Sequence, residues 1–318
     1  MTIDISDRSV LYRHDLIMFD MLANANWERP LYMSMTVGER NYPAVLTKFF
    51  VHEGLAYRIT PFNWNELGHS TPPVDVDKFY TNVMERFKWG GVKDTKDYYA
   101  DETVRRMIST HRNLISQLAT EMINSEESDK RIIALLEKVY NEFPSDVIPY
   151  DALRDNIMAH ASVYDIIYQK QCEYKKADYG NYLGDDTLKL LNSRVNEISN
   201  KVLKDEYEHL RWYCTLDEKE HNDILIYHRL SLLKEAWTLL DDELKEPVAQ
   251  NIVKAITDLL EIEIGYLEKT RGKNEEGIKN ELVSNIYHLI MEFELTENEQ
   301  KRIESLFNRY VNIAKKSR

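Results

Sequence analysis

The sequence predicts a mainly α protein: a small α/β unit over residues 1–97, followed by an α-helical array over residues 98–318. Three observations predict it. Strict alternation of apolar and polar residues is confined to one neighbourhood, between Leu31 and Thr60. Beyond it, apolar residues recur every three to four positions, the period of helices with one buried stripe. Finally, 318 residues with 43% hydrophobic and 30% charged side chains exceed one small core while keeping a well-solvated surface. Two packed units or an elongated array are therefore expected.

Residues 1–10 form a polar lead-in. Leu16, Phe19, Leu22 and Ala23 recur at helical spacing, which predicts a helix over 12–24, broken by Asn24 and Asn26. Pro30 pushes the residue before it towards extended geometry. Leu31, Met33, Met35 and Val37 then alternate with Tyr32, Ser34 and Thr36, a strand with one buried face. Residues 38–43 read as a turn, 44–50 as a short helix, and 54–60 as a second strand ended by Pro61. Strand, short helix, strand favours a parallel pairing of a two-stranded core. Two strands are marginal alone, so helices must cover them. After a loop over 61–74, Phe79, Tyr80, Val83, Met84 and Phe87 predict a helix stopped by Gly90-Gly91.

From there the strand signal vanishes. Val104, Met107, Ile108, His111, Leu114, Ile115, Leu118 and Met122 make one stripe over 101–124. Ser128 is the expected N-cap of a helix over 129–142, which Phe143-Pro144 stops. Further helices are expected over 150–176, 186–213, 217–241, 247–269, 276–292 and 297–314, the last opened by the capping box Thr296-Glu297-Asn298-Glu299. The first helix pair, ending in Phe-Pro, resembles a tetratricopeptide repeat. Later helices are longer and do not keep that repeat's 34-residue period, so the array is tetratricopeptide-like and irregular. Each pair carries an apolar face it cannot bury alone, which is the physical reason for stacking.

Composition excludes several functions. Lys and Arg number 41 against 54 Asp and Glu, a net charge of −13 with a pI near 5.3. That argues against nucleic acid or an anionic lipid surface as the main partner, since both need clustered cations. Apolar runs such as Ile132-Ile133-Ala134-Leu135-Leu136 fall far short of the ~20 residues that span a bilayer, so this chain is expected to be soluble, without direct membrane insertion. No basic and then apolar leader follows Met1. Cys172 and Cys214 lie inside helical patterns with no Cys-x-x-Cys pair, and are expected to be unpaired, small core residues.

No phosphate-binding loop, dinucleotide fingerprint, His-Glu-x-x-His or Gly-x-Ser-x-Gly string occurs. His221 and His228 share one face of a predicted helix but have no acidic partner one turn on, an incomplete metal site. Neither a metal nor a cofactor is expected. Asp241-Asp242-Glu243 and Glu275-Glu276 fall in turns, where charge solvates the chain and favours helix N-termini. The 20 Tyr and 5 Trp suit a core better than a stacking platform. Trp27 and Trp89, at element ends beside Pro30 and Gly90, are expected to seal junctions of the α/β unit.

The candidate binding residues are Arg29, Tyr32, His52, Glu53, Arg58 and Lys88, which punctuate the α/β unit where loops leave the strand ends. The plainer account pairs Arg29 and Arg58 with the neighbouring carboxylates Glu28 and Glu53. No catalytic residue is nominated.

Three strings are specific: Asn26-Trp27-Glu28-Arg29-Pro30-Leu31-Tyr32, Glu53-Gly54-Leu55-Ala56-Tyr57-Arg58 and Phe87-Lys88-Trp89-Gly90-Gly91. In order and spacing they resemble the extramembrane C-terminal region of a bacterial family of multi-pass membrane proteins of unknown function. That family is itself similar to protein O-mannosyltransferases. The resemblance covers residues 4 to about 215 and fades in the terminal helices. It implies a membrane-embedded N-terminal half with a glycosyltransferase fold, a polyprenyl-phosphate sugar donor, and catalytic carboxylates in membrane-proximal loops. It further implies that the soluble tail faces the periplasm and that Met1 is not the natural start. Nothing here matches the membrane half, so no catalytic residue carries over.

Two roles follow. One is a non-catalytic periplasmic interaction or scaffold domain of a membrane glycosyltransferase involved in protein O-glycosylation. It would bind an acceptor protein, peptide or other partner through the helical array. The other is a self-contained glycan-binding or glycan-processing domain that uses the α/β unit.

Overall fold

A computed structural model describes residues 2–3, 10–94, 99–150, 156–270 and 276–316. The chain is mainly helical, with one small sheet near the N-terminus. It divides into two units, Met1–Pro149 and Tyr150–Arg318. The division expected at 97/98 thus falls inside the first unit. Loss of strand patterning there marks a change of secondary structure and not a change of core, because the next helices pack back onto the segment before them.

In the first unit, α1 (Arg13–Ala23) begins with a capping box in which the Tyr12 amide donates to the buried Asp15 carboxylate at 2.9 Å. Three strands follow: β1 (Leu31–Ser34), β2 (Phe50–His52) and β3 (Ala56–Ile59). They form an antiparallel sheet of order β1-β3-β2, with Leu31 and Phe50 both opposite Ile59. The expected two-stranded parallel core is corrected in both respects. Phe50, Val51 and His52 are all buried, so the middle strand in sequence shows no alternation to read. The connection over Ala44–Phe49 is six residues of 3-10 helix, too short for a parallel crossover of a dozen residues or more. β1 also ends early: Ser34 Oγ bonds Thr36 Oγ1 at 2.9 Å and turns the chain before Val37.

The return from β2 to β3 is a tight hairpin on Gly54. Its φ is +121°, and a Cβ there would lie 2.9 Å from the Phe87 ring. Both facts demand glycine. Leu22, Tyr42, Leu46, Phe49, Phe50 and Ile59 form the core beneath the sheet, with Met18 and Phe19 of α1 packed against it.

Asp75 caps α2 (Val76–Thr81) through the Lys78 amide at 3.1 Å, and a π-helical turn over Asn82–Arg86 continues it. Then come α3 (Glu102–Asn124) and α4 (Asp129–Glu142), in the places the apolar stripes predict. One stripe neighbour is a surprise: Arg112 is buried and donates to the carbonyls of Phe143 at 3.2 Å and Ile148 at 3.0 Å. It fixes the chain after the Phe143-Pro144 stop.

The second unit stacks α5 (Ile157–Ala177), α6 (Asp185–Tyr213), α7 (Asp223–Leu239), α8 (Asp242–Thr270), α9 (Glu276–Ile290) and α10 (Glu297–Lys316). Sequence neighbours pack together, α5 on α6, α6 on α7 and α8 on α9, while α8 also meets α6 and α10. α8 starts before Pro247 and includes it, since a proline near a helix start removes few bonds. Cys172 and Cys214 are free thiols, and burial pushes Cys214 up to about 11, which keeps it protonated and unreactive. Among the described residues no helix is long and apolar enough to cross a membrane.

Candidate functional site

Two of the three specific strings of the first unit converge on one carboxylate. Glu53 follows β2 directly, just before the Gly54 turn, and is 3% exposed. Arg58 Nε donates to its Oε1. Lys78 Nζ and the Tyr32 hydroxyl donate to Oε2, at 2.5 Å and 2.9 Å. Lys78 also donates to the Tyr32 oxygen at 2.9 Å, which closes a ring of bonds. The sheet register builds this: Tyr32 and Arg58 are cross-strand partners, so their side chains lie side by side on one face. Asn82 Nδ2 meets the Glu53 carbonyl at 2.8 Å, tying the hairpin to the π turn.

Burial acts to raise the Glu53 pKa, but the bonds from Lys78, Tyr32 and Arg58 outweigh it and leave the carboxyl below its usual range. Burial acts to lower Lys78, and its bonds to Glu53 and Tyr32 outweigh that and raise it. His52 sits beneath, between the rings of Tyr57 and Phe79 at 5.1 Å and 4.9 Å. Its Nε2–H donates to the Gly54 carbonyl at 2.8 Å, and burial lowers its pKa despite that bond. A carboxylate held ionised with both oxygens engaged is a poor proton donor at neutral pH. The rim is open, however: Tyr32 is 45% exposed, and the Arg58 and Lys78 side chains are each 37% exposed.

Of the six candidate residues, the structure thus brings together Tyr32, His52, Glu53 and Arg58. Arg29 and Lys88 are exposed and make no hydrogen bond or ion pair among the described residues. The pairing of Arg29 with Glu28 is absent there, while that of Arg58 with Glu53 is present. Sequence reasoning missed Lys78, Asp75 and Asn82. Asp75 and Lys78 carry a local signal, since an N-cap Asp places the residue three positions on beside it. Trp27 departs from the junction role: its φ is +60° and it is 37% exposed. Trp89 keeps it, edge-on to Phe143 at 5.1 Å.

A second carboxylate cluster lies in the helical unit. His221 Nδ1 meets Glu263 Oε1 at 2.8 Å, and Lys279 Nζ donates to Glu263 Oε2 at 2.7 Å and to Asp223 Oδ1 at 2.6 Å. The Tyr213 ring packs tilted against His221 at 4.2 Å, and its hydroxyl oxygen accepts the Asn222 amide at 2.8 Å. Burial, with the Glu263 charge nearby, raises the Tyr213 pKa. Burial would lower Lys279, but its bonds to Asp223 and Glu263 prevail and raise it. His221 and His228 do not share the expected helix face: His221 precedes α7 and is held here, and His228 lies exposed on α7. Among the described residues no group of His, Cys, Asp and Glu is placed to hold a metal ion. The signal that was missed is Glu263 occupying an apolar slot between Leu260 and Leu267.

Residues 1–78, spanning α1, the sheet and the Lys78 that closes on Glu53, match the family described as TMEM260-associated domain 2. No curated protein and no solved structure matches the chain.

Proposed function

We propose that this chain is a non-catalytic interaction or scaffold domain of a membrane glycosyltransferase, standing on the periplasmic side of a bacterial inner membrane. On this reading the α/β unit is the joint to a membrane-embedded half that supplies the chemistry. The tetratricopeptide-like helices bind the acceptor protein or another partner. Two findings support the glycosyltransferase association: the match of residues 1–78 to a TMEM260-associated domain, and the three strings that resemble an O-mannosyltransferase-like family.

The observation that carries the non-catalytic part is the state of Glu53. Glycosyl transfer needs an acid or base within reach of the acceptor, with a pKa near the working pH. Glu53 is bound on both oxygens by Arg58, Lys78 and Tyr32 and is held below the usual range. It neutralises its neighbours and is not poised to move a proton.

The test offers the purified chain a polyprenyl-phosphate sugar donor and a candidate acceptor protein. No transfer is expected, while the chain retains periplasmic proteins in a pull-down whether or not glycans are removed. Turnover that disappears on Glu53→Gln overturns the proposal. One observation favours a second reading, a glycan-binding α/β unit: the Tyr32 ring stands half-exposed beside two cations, an arrangement that suits a sugar. Oligosaccharide binding that Tyr32→Ala removes, with protein capture unchanged, selects that second reading.

A further inference from the structure

The third string, Phe87-Lys88-Trp89-Gly90-Gly91, gives the Glu53 hub no hydrogen bond, although its Phe87 ring lies against Gly54. It ends in a two-glycine turn. Gly90 and Gly91 have φ of +62° and +86°, and a Cβ on Gly90 would meet nothing within 4 Å. The glycines are therefore required by these left-handed backbone angles, and at Gly90 not by close packing. The turn is closed by the Val92 and Asp94 amides, which donate to the Trp89 and Gly91 carbonyls at 3.4 Å and 2.9 Å, and it is anchored by the buried Val92 and by Trp89. The Trp89 ring packs edge-on against Phe143 at 5.1 Å and Phe87 at 6.2 Å, under the Lys138 ammonium at 5.7 Å. Its one polar bond goes to α3: Nε1–H donates to His111 Nδ1 at 3.0 Å.

An indole nitrogen can only donate, so His111 Nδ1 must be an unprotonated acceptor. In imidazolium both ring nitrogens carry protons, and the bond cannot form. We propose that Trp89 and His111 form a pH-operated latch on the Gly90-Gly91 turn, which acts as a hinge, closed while the imidazole is neutral and open once Nδ1 is protonated.

The charged groups on the packed elements do not oppose this. Lys138 of α4 lies over the indole, and Lys93 of the hinge segment pairs with Glu142 of α4 at 3.2 Å. Arg112, beside His111 on α3, is turned to the Phe143 and Ile148 carbonyls, and Asp77 of α2 is bound by Arg131 of α4 at 2.7 Å. Burial is the cause that lowers the His111 pKa. Sign and window follow: the folded state binds its proton less readily than the unfolded chain. The latch thus stabilises fully above the ordinary imidazole range near 6.5 and is lost as pH falls below it.

The test follows the indole N–H of Trp89 by NMR in the whole chain, its signal among the 5 tryptophans identified by its loss in Trp89→Phe. From about pH 7.5 to about pH 4.5, which brackets the imidazole range, the signal is expected to shift with a midpoint below that of free histidine. Hydrogen-exchange protection over residues 87–94, corrected for the pH dependence of intrinsic exchange, should fall roughly tenfold over the same step, the scale of one lost hydrogen bond. His111→Gln, whose side-chain carbonyl accepts at every pH, should keep the latch closed and abolish the response. A wild-type signal that stays put, or an equal titration in His111→Gln, overturns the latch. The wild-type arm decides the matter even if the variant folds poorly.

Discussion

Glu53 in the first unit and Glu263 in the second are the same device in two settings. Each is a buried carboxylate that takes a lysine on Oε2 and a second nitrogen donor, Arg58 or His221, on Oε1. Around Glu263 the shell is closed: His221 is 1% and Lys279 8% exposed. Around Glu53 the shell reaches water, with Arg58 and Lys78 at 37%. The closed cluster joins α8 to the start of α7 and to α9, three successive helices, and leaves Glu263, His221 and Lys279 shut off from water. The open one ties a hairpin to α2 while showing donors to solvent. A buried charge cluster is therefore not by itself a sign of function. The exposure of its partners separates a pin from a surface that can meet another molecule.

The sharpest way to break this comparison is to remove the lysine from each. Lys279→Ala leaves Glu263 and Asp223 short of their cation in a dry site, and a loss of about 3–5 kcal/mol is expected, read as the chemical-denaturation midpoint. Lys78→Ala leaves Glu53 with Arg58, Tyr32 and access to water, so about 1 kcal/mol is expected there. Equal losses would erase the distinction between closed and open.

Between these falls Gly54→Ala, which forces a side chain into a positive-φ turn and against Phe87. Thermal melting should report a loss of about 2–3 kcal/mol. A neutral result would mean that the hairpin under the Glu53 hub can move aside.

Acid titration sharpens the same point. The Glu53 pKa is lowered by folding, so its contribution is present above the unfolded value near 4.3 and is lost as pH falls through the folded one. Denaturation midpoints measured across this window should decline more steeply for wild type than for Glu53→Gln, and matching slopes would remove Glu53 from the ionised state described above. The smallest effect is expected at the exposed rim of the first unit: Trp27→Ala should alter stability by only about 0.5 kcal/mol. A loss of several kcal/mol would restore the sealing role that its place beside Pro30 suggests.

Much of the architecture was legible because periodicity is a local property. The stripe from Val104 to Met122 placed α3 within a residue, and the Thr296 to Glu299 box placed the start of α10. β2 was not legible, since a strand buried on both faces has no period to show. Four of the six candidate residues met because the Glu53 string carries its own hairpin, and the glycine that turns it is part of the string.

By itself, then, the sequence determined which segments are helical, where the small sheet lies, and that Arg58 has Glu53 as its neighbouring carboxylate. Tertiary structure alone decided the antiparallel order, the division after Pro149, the arrival of Lys78 at Glu53, and the meeting of His221, Glu263 and Lys279. The physical reason is range. Propensity, capping and turn chemistry act over a few residues, whereas a buried ion pair forms only when separate helices carry each partner to the same dry place.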